Sequence, residues 1–191
     1  DGFLLKGLSA DQAAKKIRGG AGTTVLLKIK RGDKTLDFSI VRAKIHVPSV
    51  EFETNKDNIL IITINSCGET SGFEFMKAVA EAAKVDPRGI IVDVRNNPGG
   101  FLDVATTIAG FFVESGNVIS KIKYPSRVDE EKSEGSGILA KYPVRVLINK
   151  GSASASEILA GALQDYGVAR IIGETSYGKG TVQEVTTYND Q

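Results

Sequence analysis

Along the first forty-five residues the apolar positions change period once. After Ser9 the residues Ala13, Ala14 and Ile17 recur at helical spacing until Gly19-Gly20 ends the run, and Ser9 with Gln12 has the S-x-x-Q spacing of a capping box. A short amphipathic helix is expected there. Two β-type runs follow, residues 25–30 and 36–40, on either side of the turn Arg31-Gly32-Asp33-Lys34, which is the spacing of a hairpin. Around Val47-Pro48-Ser49 the pattern resets. From there a strand over 59–64, a helix over 73–84 with Phe73, Met76, Val79, Ala80 and Ala83 at helical spacing, and a strand over 89–94 form a βαβ unit. The alternation continues with a helix over 102–112, strands over 117–123 and 144–149, a helix over 155–165, and strands over 169–172 and 181–188. Such alternation implies an α/β sheet with a largely parallel core. The interval 125–139, rich in Ser, Gly, Glu and Asp, reads as a surface loop.

Composition narrows the classes of function. The chain has 191 residues, 41% of them apolar and 25% charged, an ordinary globular balance that leaves disorder little support. Lys plus Arg number 24 against 23 Asp plus Glu, and no long run of one sign occurs, so attraction to nucleic acid or anionic lipid has no basis. The longest apolar runs, such as Ile59-Leu60-Ile61-Ile62, fall far short of the ~20 residues that cross a bilayer. A single cysteine, Cys67, cannot form an internal disulfide or a zinc cage. A single histidine, His46, leaves little room for imidazole catalysis or a histidine-built metal site. Asp1-Gly2 reads as a cut inside a larger protein.

Three segments carry candidate chemistry. In Asn149-Lys150-Gly151-Ser152-Ala153-Ser154-Ala155-Ser156-Glu157 an apolar strand enters a turn of small residues and then a helix. Small side chains let a substrate backbone come close, and the first free N–H groups of a helix face an incoming anion. Ser154 fits the presenting position, and Ser154-x-x-Glu157 also has the spacing of a capping box, so nucleophile and structural cap are both open on this motif alone. A serine needs a base, and no acidic residue lies near His46 in sequence to orient it for a Ser-His-Asp triad. Lysine is the alternative, because burial strips hydration from an ammonium and favours the neutral amine. Lys179, between Gly178 and Gly180, is the candidate, its plainer reading being a solvated turn lysine.

The same stretch offers a rival. Gly173 to Lys179 satisfies all but the last position of G-x-x-x-x-G-K-[ST] after a strand, as a phosphate-binding loop would. Gly180 stands where that motif needs Ser or Thr for magnesium, and the strand-like run 181–185 replaces the helix start that would meet the phosphates. The third segment, Asp93-Val94-Arg95-Asn96-Asn97-Pro98-Gly99-Gly100, closes a buried strand with two glycines whose N–H groups no side chain need cover, which suits a donor to an oxyanion or a simple tight turn.

Taken together, D-V-R-N-N-P-G-G at 93–100, G-S-A-S-A-S-E-I-L-A-G-A-L-Q-D-Y at 151–166 and G-E-T-S-Y-G-K-G-T-V-Q at 173–183 resemble the C-terminal processing peptidases, or tail-specific proteases, which are Ser-Lys serine peptidases. The resemblance implies a ClpP/crotonase-like α/β core over residues 47–191, possessing Ser154 as nucleophile, Lys179 as general base and Gln183 as the residue completing the triad. Were 181–185 a strand, Lys179 and Gln183 would share a face. Gly99, Gly100 and Ala155 are the implied oxyanion donors. Residues 1–46 look like the C-terminal half of a PDZ domain. The resemblance further implies polypeptide substrates, no metal or organic cofactor, no nucleic acid, an extracytoplasmic setting, and any homo-oligomer built through regions outside this chain. An inactive fragment that only binds peptide is the alternative.

Overall fold

Ser9 caps the first helix, α1 (Ala10–Ile17), by the reciprocal pair its spacing announces: Gln12 N–H donates to Ser9 Oγ at 3.3 Å and Ser9 N–H donates to Gln12 Oε1 at 3.0 Å. The structure, a computed structural model, describes residues 2–45 and 47–183. The chain separates into two compact units, residues 1–47 and 48–191. In the first, β1 (Thr24–Arg31) and β2 (Lys34–Val41) pair antiparallel around Gly32, whose φ of 60° the turn requires. The register Val25↔Ile40, Leu27↔Phe38, Ile29↔Leu36 puts six apolar residues on one face of the ribbon. Arg42 Nε donates to the Ile17 carbonyl at 2.8 Å, fastening the end of α1 to the end of the hairpin.

The second unit is built on a five-stranded sheet in the order β3-β4-β5-β8-β9. Its strands are β3 (Val50–Thr54), β4 (Ile59–Ile64), β5 (Gly89–Asp93), β8 (Val144–Ile148) and β9 (Ala169–Gly173). β3 runs antiparallel at one edge, and the other four are parallel. The helices α2 (Ser71–Val85), α3 (Leu102–Ala109) and α4 (Ala155–Asp165) connect or follow these strands. Leu60, Ile62, Ile64, Ile90, Val92, Val144 and Val146 are fully buried and meet Phe75, Ile108, Leu159 and Leu163 from the helices. Alternate positions of β4, namely Ile59, Ile61 and Thr63, remain half-buried, as a strand covered mainly on one face requires.

The differences from the sequence reading are local. The interval 125–139 is not all loop: β7 (Val128–Lys132) pairs antiparallel with β6 (Val118–Lys123), and Lys121 bridges Glu130 at 3.0 Å. With one apolar residue in five, β7 is a strand because its partner supplies the ladder, a cause that periodicity does not contain. β3 was equally invisible, being four exposed residues after one buried valine. The helix expected to 112 stops at Ala109, after which Phe111 and Phe112 turn inward onto Phe75, with ring centroids 5.4 and 6.0 Å away. Of the strand expected over 181–188, residues 181–183 have no regular structure and the rest lies outside the described residues, as does His46.

This topology sets the carboxyl ends of β5, β8 and β9 side by side. The three motif-bearing segments are the loops that leave those ends, the place where open parallel sheets build their sites.

Candidate active site

The loop after β8 sorts its own serines. Ser152 is fully buried, donating through Oγ to the Val94 carbonyl at 2.7 Å and accepting from Asn149 N–H at 3.1 Å. Ser156 is fully buried as well, its Oγ donating to the Asn97 carbonyl at 3.1 Å. Both are fasteners. Ser154, between them, is only half-buried and has φ 56° and ψ −119°, a conformation that costs a non-glycine residue about 1–3 kcal/mol and persists only where the surroundings impose it. A strained residue at a strand-to-helix turn, directly before the first turn of α4, projects its side chain from the top of the sheet.

What imposes the turn is the loop after β5. Gly99 has φ +97°, and a Cβ there would stand 2.6 Å from the Ala153 carbonyl oxygen and 2.7 Å from Ser154 Cβ, so only glycine allows this approach. Gly100 has φ +146°, and a Cβ there would collide with the Cys67 carbonyl, against which the loop forms a one-residue parallel bridge. Gly99 N–H donates to Asn97 Oδ1 at 2.8 Å. By contrast, the N–H groups of Gly100 and of Ala155, the first residue of α4, donate to nothing among the described residues. Asn149 clamps the two loops together: its Oδ1 accepts from Asn96 N–H and Gly151 N–H, and its Nδ2 donates to Asn96 Oδ1 at 2.9 Å. Cys67 lies beneath, fully buried, and burial pushes its thiol up to about 11 in spite of a contact from Asn97 Nδ2, which removes it as a nucleophile.

The loop after β9 is drawn to the same place by one carboxylate. Glu157, in the first turn of α4, accepts on Oε1 from Ser176 Oγ and Gly178 N–H, both at 2.7 Å. On Oε2 it accepts from Ser154 N–H at 2.8 Å and Lys179 N–H at 2.9 Å. Tyr177 N–H adds a bond to the Ser152 carbonyl at 2.9 Å. Partial burial pushes the Glu157 carboxyl up, but these four donors outweigh it and hold it below the ordinary carboxylate range. Lys179 is half-buried; its Nζ and Ser154 Oγ share no hydrogen bond, and Gln183 is exposed without a bond to either. The structure therefore joins the backbones of Ser154 and Lys179 and leaves Gln183 apart. It also leaves no phosphate loop, since residues 174–183 form no helix.

The sequence alone offers Glu157 as a helix-cap partner and assigns Asn97 and Asn149 no role. The capping-box spacing carried half of the signal for Glu157, its bond to Ser154. The other half, toward Gly178 and Lys179, depends on strand order and could not be read from spacing.

A family model described as peptidase family S41 matches residues 58–191. The chain belongs to this family. The S41 domain thus takes in all three loops and their strands, and the resemblance to C-terminal processing peptidases is borne out by individual relatives. A CtpA-like serine protease of Staphylococcus haemolyticus is 39% identical over 192 residues, and one of Staphylococcus epidermidis is 40% identical over 186 residues. Those alignments cover 100% and 96% of this chain but 38% of each relative, so the chain spans well under half their length. Among solved structures, a photosystem II D1 C-terminal processing protease superposes with a TM-score of 0.71 at 26% identity, over 99% of this chain and 53% of that one.

Proposed function

We propose that this S41 chain carries the catalytic centre of a serine endopeptidase that cleaves polypeptides near their C termini through an acyl-enzyme on Ser154, with Lys179 as general base. The observation that carries the reading is the single Glu157 carboxylate that accepts the backbone N–H of both residues, because a shared anchor holds a nucleophile and its base in register. Lys179 Nζ takes the Ser154 hydroxyl proton, Oγ attacks the peptide carbonyl, and the proton passes to the departing amine. Water then attacks the ester, Lys179 relaying its proton, and Ser154 is regenerated. Gly100 and Ala155 N–H receive the oxyanion; Gly99, with its N–H already committed to Asn97, is withdrawn from that role. Gln183 is assigned the orienting of the Lys179 amine on the resemblance of its motif alone.

Residues 1–46 are read as the C-terminal half of a PDZ domain, supported by their helix followed by a hairpin, and the protein as working outside the cytoplasm on polypeptide partners. No helix among the described residues is long and apolar enough to cross a membrane. One observation favours the rival reading of a peptide-binding fragment without activity: Ser154 Oγ and Lys179 Nζ are not hydrogen-bonded. Catalytic hydrogen bonds in free enzymes often form only with substrate in place. Hydrolysis of a polypeptide bearing an unstructured apolar C-terminal tail decides between them. Cleavage lost in both Ser154→Ala and Lys179→Ala supports the peptidase; tail binding without cleavage, unchanged in both variants, supports the fragment.

A further inference from the structure

We propose that Asn97 is a positioning residue that selects which N–H of the glycine loop is offered to the reacting carbonyl and ties that donor to the nucleophile turn; the inference rests on the Ser154 reading above. Asn97 has no exposed surface, and its polar groups serve three separate segments. Nδ2 donates to the Ile64 carbonyl at 2.9 Å, anchoring the loop to the end of β4. Oδ1 accepts Gly99 N–H at 2.8 Å. Its carbonyl accepts Ala153 N–H at 3.0 Å and Ser156 Oγ–H at 3.1 Å, on the two sides of Ser154 and Ala155. Two consequences follow from these bonds. Since Gly99 N–H is turned inward and satisfied, Gly100 N–H is the loop's free donor. Since the same residue's carbonyl holds the turn that presents Ser154 and Ala155 N–H, the two donors cannot drift independently, and a fixed pair of donors is what lowers the barrier for a developing oxyanion. A buried asparagine with every group engaged also resists rotation, because each lost bond would strand a partner away from water.

The test compares Asn97→Ala and Asn97→Asp in the full chain, reading kcat, KM and Tm on a peptide whose cleavage depends on Ser154. Asn97→Asp keeps an acceptor for Gly99 N–H but places a carboxylate against the Ile64 carbonyl; Asn97→Ala loses the acceptor but buries no charge. Positioning predicts that kcat falls by roughly 10²–10³ in Asn97→Ala, the scale of one oxyanion donor, with KM nearly unchanged. It also predicts that Asn97→Asp retains more kcat than Asn97→Ala while melting lower. If kcat per folded molecule stays at the parent value, or follows the melting order instead, the role of Asn97 is overturned. Should neither variant fold, Ser156→Ala removes one of the two donors to the Asn97 carbonyl without opening a sizeable cavity. A kcat about fivefold lower at unchanged KM then supports the role, and parental kcat overturns it. Ser154-independent cleavage, or none at all, in the parent chain would instead overturn the Ser-Lys reading beneath it.

Discussion

Ser154 and Lys179, from two different loops, donate their backbone N–H groups to the same oxygen, Oε2 of Glu157, at 2.8 and 2.9 Å. Each loop leaves the carboxyl end of a parallel strand, β8 or β9, and these strands are neighbours. The carboxylate thus acts as a pin between two loops that the sheet has already brought alongside. Glu157→Gln offers one oxygen and one NH2 to four donors, so at least one N–H must be released. The expected result is a kcat lowered by about 10²-fold, the penalty of a displacement near 1 Å, with little change in KM. Steady-state kinetics on a tail peptide checks it; parental kcat would show that the pin is dispensable.

The Glu157 carboxyl is held below its ordinary value by its four donors, against the opposing effect of partial burial. A carboxyl with a depressed folded-state pKa stabilises the fold fully above its unfolded-state value, about 4.3, and the contribution is lost as pH falls through the folded value. Glu74 acts in the same direction: burial raises it, and the Val50 N–H with the Thr70 and Ser49 hydroxyls lower it further. The Tm difference between the parent and Glu157→Gln should therefore be constant above about pH 5 and shrink on acidification below pH 4. Melting curves from pH 2 to 7 test this, and a difference independent of pH would remove the electrostatic account of the clamp.

Ser154 sits at a positive φ that glycine adopts freely and that a residue with a Cβ, serine or alanine, adopts only under strain. Ser154→Gly and Ser154→Ala should both be inactive, with the glycine variant the more stable by up to about 1 kcal/mol once its greater unfolded-state entropy is set against the relief of strain. Chemical denaturation of the pair measures it. Equal stability would mean the turn is not strained.

Gly99→Ala places a Cβ against the backbone of Ala153 and the side chain of Ser154. Since the obstacle at Ala153 is main chain rather than the end of a flexible side chain, the turn must move, and activity should collapse even where the variant folds. Retention of more than about a tenth of parental kcat would contradict a shared geometry of the two loops.

Much of the second unit was legible because its parallel strands are short apolar runs separated by helices with clear faces, and α4 begins and ends where its pattern says. The elements that were missed, β3 and β7, exist because a neighbour pairs with them, and the early stop of α3 exists because Phe75 draws Phe111 and Phe112 inward. The site followed the same division. Ser154, Lys179 and the glycine pair are local motifs and could be named from sequence. Which glycine N–H is free and what Glu157 holds depend on contacts between loops far apart in the chain.

The central claim is tested most directly by acid-quenching the protein during turnover of an activated ester of a tail peptide and mapping the acylated residue by mass spectrometry. The account predicts an adduct on Ser154, none on Ser152 or Ser156, and none in Lys179→Ala. An adduct on another residue, or one that forms undiminished without the Lys179 amine, would contradict it.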